Sequence, residues 1–276
     1  MVNFCDYNIA VVKMQKLHTV KDYREYAEQM VARFGYRRIV RFGVVTNKKK
    51  LFFGTRENRQ YSKAKATYFD DVAISDIYKL GFDATSVKGS YITNFFLHFV
   101  FQHETGLVYI YLVLDSADQL DSCNFSHAEQ FLEALQEIAT VRFVQADRMD
   151  SEKWVNAFTS GIGQKPRRND FENRVASSIS KCQQFHHQPP FLFAYNYVNT
   201  DLDLTPVNPE YVSIENCKGY SKLLFPCCLG KTLDDYPTIP EWASVYESLK
   251  SQGIIKIEDK LASMVEDIIA EPKLIT

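Results

Sequence analysis

A basic segment is the part of this sequence best suited to chemistry with a charged partner. Between Arg33 and Lys65 there are eleven basic residues and a single acid, Glu57. Because the whole chain has a net charge of −2, the residues outside this segment carry a net charge of −12. A charge distribution this uneven produces a field that attracts anionic partners.

Three interpretations of the basic segment differ in what its cations face. The first is an acidic protein surface, and the second is nucleic acid, whose bases Tyr36, Phe42 and Tyr61 could stack against. The third is the solvated face of a hairpin, whose lysines prevent an edge strand from pairing with other chains. For the two binding interpretations, the contacts are assigned to Arg37, Arg41, Lys48, Lys49, Lys50 and Arg56.

Histidine and aspartate residues give weaker indications of a catalytic or metal site. His186 and His187 have neither an H-E-x-x-H nor an H-x-H spacing, so the pair is interpreted as loop histidines. Asp115, Asp118 and Asp121 follow a predicted strand, where carboxylates can hold Mg²⁺ or Ca²⁺. Turn formation and helix capping explain these aspartates at least as well. A hydrolase would require the histidines to converge with Asp115 and Asp118 in one pocket.

The cysteines are predicted to be free thiols. None of the six forms a C-x-x-C pair, and a chain of this length does not need disulfides to fold. Cys227 and Cys228 are assigned to a strand, where adjacent side chains point to opposite faces. No Gly-rich loop between strand and helix and no G-x-S-x-G sequence is present, so no cofactor and no metal are predicted.

The hydrophobic periodicity predicts helices that begin at capping boxes. Thr19-x-x-Asp22 begins an amphipathic helix over 19–34, and Ser126-x-x-Glu129 and Thr238-x-x-Glu241 begin two others. A short helix over 71–80 is predicted to end at Gly81. A final helix is expected over about 258–270.

Strands are predicted in hairpin-like pairs. Residues 37–46 pair with 51–56 through a lysine-rich turn, and residues 91–103 pair with 107–115. Further strands are expected at 141–145, 191–198, 211–216 and 220–229. This pairing indicates an α+β fold in which antiparallel sheets, built from hairpins, are covered by amphipathic helices.

The segment 161–169, GIGQKPRRN, has the composition of a linker or exposed loop. The boundary is therefore placed there, which gives α+β substructures at 1–160 and 161–276. The order of elements after this boundary loosely repeats the order before it, so two similar substructures are expected. One continuous domain is the alternative.

The leading functional hypothesis is a non-catalytic protein-binding module of the inhibitor or toxin-neutralising (immunity-type) kind. It rests on composition and elimination, with charged and aromatic surface residues as the binding groups. The alternative is a nucleic-acid-binding or processing protein that uses the basic 33–65 region. Self-association through oppositely charged surfaces is a further expectation. The sequence lacks a secretory signal and an apolar run of about 20 residues, so a cytoplasmic, membrane-free location is expected.

Overall fold

The computed structural model describes residues 4–46, 50–53, 69–70, 72–87, 94–116, 125–150, 192–199, 212–217, 219–228, 231 and 236–255. In chain order, strands β1 to β10 are Phe4–Met14, Arg38–Thr46, Lys50–Phe53, Ile77–Thr85, Phe95–Gln102, Leu107–Ser116, Ala139–Asp150, Tyr195–Val198, Ser213–Cys217 and Tyr220–Leu224. The α-helices α1 to α3 are Val20–Arg33, Ser126–Gln136 and Pro240–Ser251. Short 3₁₀ helices are Ile74–Asp76, Pro226–Cys228 and Tyr236–Thr238.

The chain forms two compact units. Unit A comprises Tyr7–Asp115 and Glu129–Val141, and unit B comprises Met1–Asp6, Ser116–Ala128 and Arg142–Thr276. The predicted boundary at residues 160 and 161 lies outside the described residues, as do the predicted linker and the C-terminal helix over 258–270. The division into 1–160 and 161–276 therefore stays a prediction.

Unit A contains a sheet with the strand order β3-β2-β4-β5-β6-β1. The neighbouring pairs from β3 to β6 are all antiparallel. In unit B the order is β7-β8-β10-β9, and these pairs are antiparallel as well. The predicted α+β class with antiparallel strands is confirmed. The covering of the sheets by amphipathic helices and the similarity of two substructures stay predictions.

Alternation of side chains explains the core of unit A. In β5, Phe95, Leu97, Phe99 and Phe101 are buried, whereas the residues between them are half-buried. The ring of Tyr23 in α1 lies 4.9 Å from the ring of Phe99. One face of β5 therefore packs against α1, as period-two alternation predicts. Strand β6 is buried on both faces from Leu107 to Leu114, which is usual for a strand covered on each side.

The N-terminus of α1 shows the predicted capping box. The hydroxyl of Thr19 accepts a hydrogen bond from the Asp22 N–H at 3.2 Å, and the Asp22 carboxylate accepts one from the Thr19 N–H at 2.9 Å. A further hydrogen bond, from the His18 N–H, is the largest contribution that lowers the pKa of Asp22. These bonds satisfy amide groups that the first helical turn leaves unpaired.

Replacing Thr19 by alanine should lower the free energy of unfolding by about 1 kcal/mol, because the helix loses its capping acceptor. Urea unfolding followed by circular dichroism measures this change. Thr19→Ser, which keeps the hydroxyl, is the control and should stay close to the parent protein. An alanine variant as stable as the parent would show that the cap contributes nothing to the fold.

Three predicted features are wrong, one of which is the strand over 220–229: it ends at Leu224, and Pro226–Cys228 is a 3₁₀ helix. The helix over 71–80 is absent: only Ile74–Asp76 forms a 3₁₀ turn, and the strand β4 begins at Ile77. Gly81 does not adopt the positive φ of a helix-ending glycine and lies inside β4. A Cβ at Gly81 would be 3.0 Å from the His98 ring, a tight contact, so the lack of a side chain at Gly81 lets this ring lie close to β4.

The capping box predicted at Thr238-x-x-Glu241 is also wrong, although its helix exists. Thr238 belongs to the preceding 3₁₀ helix, and Ile239 occupies the N-cap of α3 without a side-chain hydrogen bond. Pro240 begins the helix, where its missing N–H costs nothing.

Candidate functional site

The candidate site is one side of the unit A sheet, formed by β2, β4 and β5. Directly opposed residues of antiparallel strands point to the same side. Arg41 is opposite Asp83, Asp83 is opposite Phe96, Gly81 is opposite His98, and Lys79 is opposite Val100. We define the basic face as Arg38, Arg41, Lys79, Asp83, Phe96 and His98.

A register irregularity brings two arginines to this face. Arg38 and Arg41 are three residues apart, and a regular strand would point their side chains to opposite sides. In β2, Arg38 is opposite Thr85 and Arg41 is opposite Asp83, with a shift of register between Ile39 and Arg41. The shift acts as a β-bulge that redirects a side chain. Both arginines consequently share the side that carries Asp83.

Asp83 is the acidic centre of the basic face. Its residue is 6% exposed, and its carboxylate lies 3.4 Å from Arg41 Nη1 and 2.9 Å from His98 Nε2. The Arg41 side chain is 40% exposed, and its Nε is buried without a hydrogen-bond partner in the described part of the chain. The ion pair with Asp83 therefore holds one nitrogen of the Arg41 guanidinium, and another part of the side chain faces outward.

His98 contributes a neutral ring to the basic face. Burial is the largest cause that lowers its pKa, and the charge of Lys79 acts in the same direction. The hydrogen bond and charge of Asp83 oppose this shift but do not reverse it. His98 is accordingly neutral near pH 7, so the charged side chains of the basic face are those of Arg38, Arg41, Lys79 and Asp83.

The lowered pKa of His98 predicts a loss of stability in mild acid. The unfolded chain binds a proton at His98 near pH 6.5, and the folded chain binds it only at lower pH. The His98 contribution is complete above pH 6.5 and is lost as the pH falls through the folded pKa. We expect His98→Gln to lose less stability than the parent between pH 7.5 and 5.5 in urea unfolding. Equal losses in both proteins would contradict this assignment.

Half-buried apolar side chains accompany the cations. Phe96 and Val100 lie in β5 on the side of Arg41 and Lys79, and both are half-buried. Arg38 is exposed, and Lys79 is half-buried. Arginine beside aromatic and aliphatic groups is the composition found at the centres of protein interfaces.

The structure describes part of the predicted binding set. Arg41 lies on the basic face. Arg37 is exposed immediately before β2, and its N–H donates a hydrogen bond to the Thr85 carbonyl. Lys50 begins β3 opposite Val45. Lys48, Lys49 and Arg56 lie outside the described residues, so their part in binding stays a prediction.

Two basic-face cations were absent from the predicted set. Arg38 lies in the basic segment, but alternation alone would point its side chain to the opposite side of the strand from that of Arg41. The sequence gives no direct sign of the bulge. Lys79 was assigned to the helix over 71–80, which is a strand in the structure. A more accurate assignment of Ile77–Thr85 as a strand would have placed Lys79, Gly81 and Asp83 on one side.

The alternative hydrolase site is only partly described. His186, His187 and Asp118 lie outside the described residues, and Asp115 is the penultimate residue of β6. Their convergence therefore stays untested. Among the described residues, no three histidine, cysteine, aspartate or glutamate side chains are placed to hold a metal ion.

The other histidine near β4 and β5, His103, makes structural contacts. His103 Nε2 lies 2.7 Å from the Ile77 carbonyl, and its ring stacks on Phe101. His98 and His103 thus have separate partners, the Asp83 carboxylate and the Ile77 carbonyl.

Comparisons with known proteins do not assign the chain to a family. No family model and no curated protein matches it. Among solved structures, T6SS protein PA0821 of Pseudomonas aeruginosa matches with a TM-score of 0.44 and 10% sequence identity. The match covers 80% of this chain and 65% of the Pseudomonas chain. Within the described residues, no helix is long and apolar enough to cross a membrane.

Proposed function

We propose that this chain is a non-catalytic protein-binding module whose basic face binds an acidic surface of a partner protein. The observation that carries the proposal is the pair of arginines that the β2 bulge brings to one side of the sheet. With Lys79 they provide three cations, and Phe96 and Val100 provide apolar area beside them. Such a face combines steering by charge with desolvated contact area.

A protein partner fits the charge of the chain better than nucleic acid does. Nucleic-acid-binding domains generally combine a clustered basic patch with a basic net charge, whereas this chain has a net charge of −2. Its acidic regions would repel an extended phosphate backbone, but they would not prevent a local contact with an acidic protein patch. Inhibitor and immunity-type proteins act in this way, because a complementary surface is sufficient to block a partner.

We further place the protein in the cytoplasm. Cys227 and Cys228 are both free thiols, and free thiols are usual in reducing compartments.

The test is affinity capture with matched baits from a nuclease-treated lysate of the source cells. The baits are the parent chain, Arg38→Gln/Arg41→Gln, and the control Lys16→Gln/Lys21→Gln, which removes two exposed cations outside the basic face. We expect one protein to bind the parent and the control but not the arginine variant, and to bind again when both components are purified. The purified complex should dissociate as salt is raised.

Two outcomes would overturn the proposal. One is capture that is equal for all three baits, because the basic face would then have no part in it. The other is salt-sensitive binding of labelled DNA or RNA that the arginine variant loses, without any protein partner. That second result would establish the nucleic-acid function instead.

A further inference from the structure

His98 is a titratable side chain within the surface that an acidic partner would cover. Its Nε2 lies 2.9 Å from the Asp83 carboxylate, which is also 3.4 Å from Arg41 Nη1. The lack of a side chain at Gly81 lets the ring lie close to β4, yet the His98 side chain stays 22% exposed. The ring is therefore close enough to the surface to respond to charges that a partner brings.

The charges around His98 come from the neighbouring strands. The groups on its side of the sheet are Arg41 of β2, Lys79 and Asp83 of β4, Phe96 and Val100 of β5, and Tyr111 of β6. Burial and the two cations oppose a proton on His98, whereas Asp83 favours one. A partner's carboxylates would add negative charge to a face on which cations outnumber carboxylates.

A bound acidic partner acts on His98 in two opposing ways. Covering the face removes water, which disfavours the imidazolium, whereas nearby carboxylates favour it. The loss of water is small, because most of the side chain is already shielded from solvent in the free chain. An opposite charge within about 4–6 Å shifts a pKa by about 1–3 units. The charge effect is therefore the larger one.

We propose that binding of an acidic partner to the basic face is coupled to the uptake of a proton by His98, an inference that rests on the function proposed above. The proton comes from solvent, and the imidazolium adds a positive charge to those of Arg38, Arg41 and Lys79. Because such coupling is reciprocal, the partner binds more tightly when the ring is protonated. Affinity should increase as the pH falls from 7.5 to 5.5, a range in which ordinary carboxylates stay ionised.

The experiment titrates the full chain with a labelled peptide of six glutamates at low salt and measures its affinity by fluorescence polarisation at several pH values. We expect the peptide to bind several-fold more tightly at pH 5.5 than at pH 7.5. The affinity of His98→Gln should change little over this range. His18→Gln removes an exposed histidine outside the basic face, so this control should follow the parent.

Nuclear magnetic resonance measures the same coupling from the side of the proton. Saturating peptide should raise the pKa of the His98 ring by an amount that matches the gain in affinity. An unchanged pKa would overturn the coupling, and so would a pH dependence that His98→Gln retains in full.

Arg38→Gln/Arg41→Gln separates this inference from the function on which it rests. The arginine variant should lose peptide binding at every pH. Binding that needs the arginines but does not change with pH overturns the coupling and leaves the proposed function in place. If the parent does not bind the peptide through its arginines, the coupling is overturned as well, and the capture experiment decides the proposed function separately.

Discussion

Replacing both Arg38 and Arg41 by glutamate is expected to weaken partner binding by about 100-fold or more, measured by calorimetry with the purified partner. Placing like charges opposite each other in an interface costs several kcal/mol, and about 1.4 kcal/mol corresponds to each tenfold change in affinity. The two side chains share one side of β2. Both reversals should therefore act on the same acidic patch.

The control for this experiment is Lys16→Glu/Lys21→Glu, which makes the same change in net charge. Both lysines are exposed and lie outside the basic face, and Lys21 is 3.9 Å from Glu25 in a solvent-exposed pair. Surface pairs of this kind contribute little, so the control should bind within a few-fold of the parent. Equal losses in both variants would show that net charge, rather than the basic face, determines affinity.

The single variant Arg38→Glu separates the effect of lost charge on binding from the effect of lost stability. Arg41→Glu places a second carboxylate beside Asp83, which is nearly buried, so the double variant loses stability as well as charge. Arg38→Glu leaves the Arg41–Asp83 pair intact. It should still reduce affinity by about tenfold, mainly because association becomes slower. The salt dependence of binding should also become weaker.

Local signals in the sequence were sufficient for much of the fold. The capping box at Thr19 and the alternation from Phe95 to Phe101 each predict one element, and the structure confirms both. These signals work because the backbone and its nearest neighbours determine them. The hairpin of β5 and β6 follows from Gly106, which has a φ of 68° in the intervening turn.

The same local signals failed where partners distant in sequence determine the structure. Gly81 resembles a helix end in the sequence, and only the pairing of β4 with β5 shows that it accommodates His98. β1 was missed although Tyr7–Val12 is almost wholly buried, because a short apolar run does not distinguish a strand from a helix.

The basic face also depends on pairing between residues that are far apart in the sequence. The sequence places Arg41 in a basic segment, but only the register of β2 and β4 pairs it with Asp83 and places Lys79 on the same side of the sheet. A bulge at one residue reverses the direction of every later side chain in a strand. Composition therefore indicated a basic segment, whereas the residues that form the basic face could be identified only from the structure.

Trp242→Ala is expected to lower the free energy of unfolding by about 3–5 kcal/mol, since large aromatic side chains leave a cavity when they are truncated. Trp242 is fully buried in unit B and stacks on Tyr246 with the ring centroids 5.0 Å apart. Its Nε1 donates a hydrogen bond to the Leu192 carbonyl at 3.3 Å. A domain is commonly stable by only about 5–15 kcal/mol, so this loss is a large part of the total.

Trp242→Phe separates packing from hydrogen bonding in the same urea titration. Phenylalanine keeps an aromatic ring but loses the donor to Leu192, so its cost should be smaller, about 1–2 kcal/mol. The Trp242 ring also lies 6.2 Å from the ring of Tyr236, whose hydroxyl donates a hydrogen bond to the buried Asp147 carboxylate at 2.6 Å. An alanine variant within 1 kcal/mol of the parent would contradict the packing described for α3.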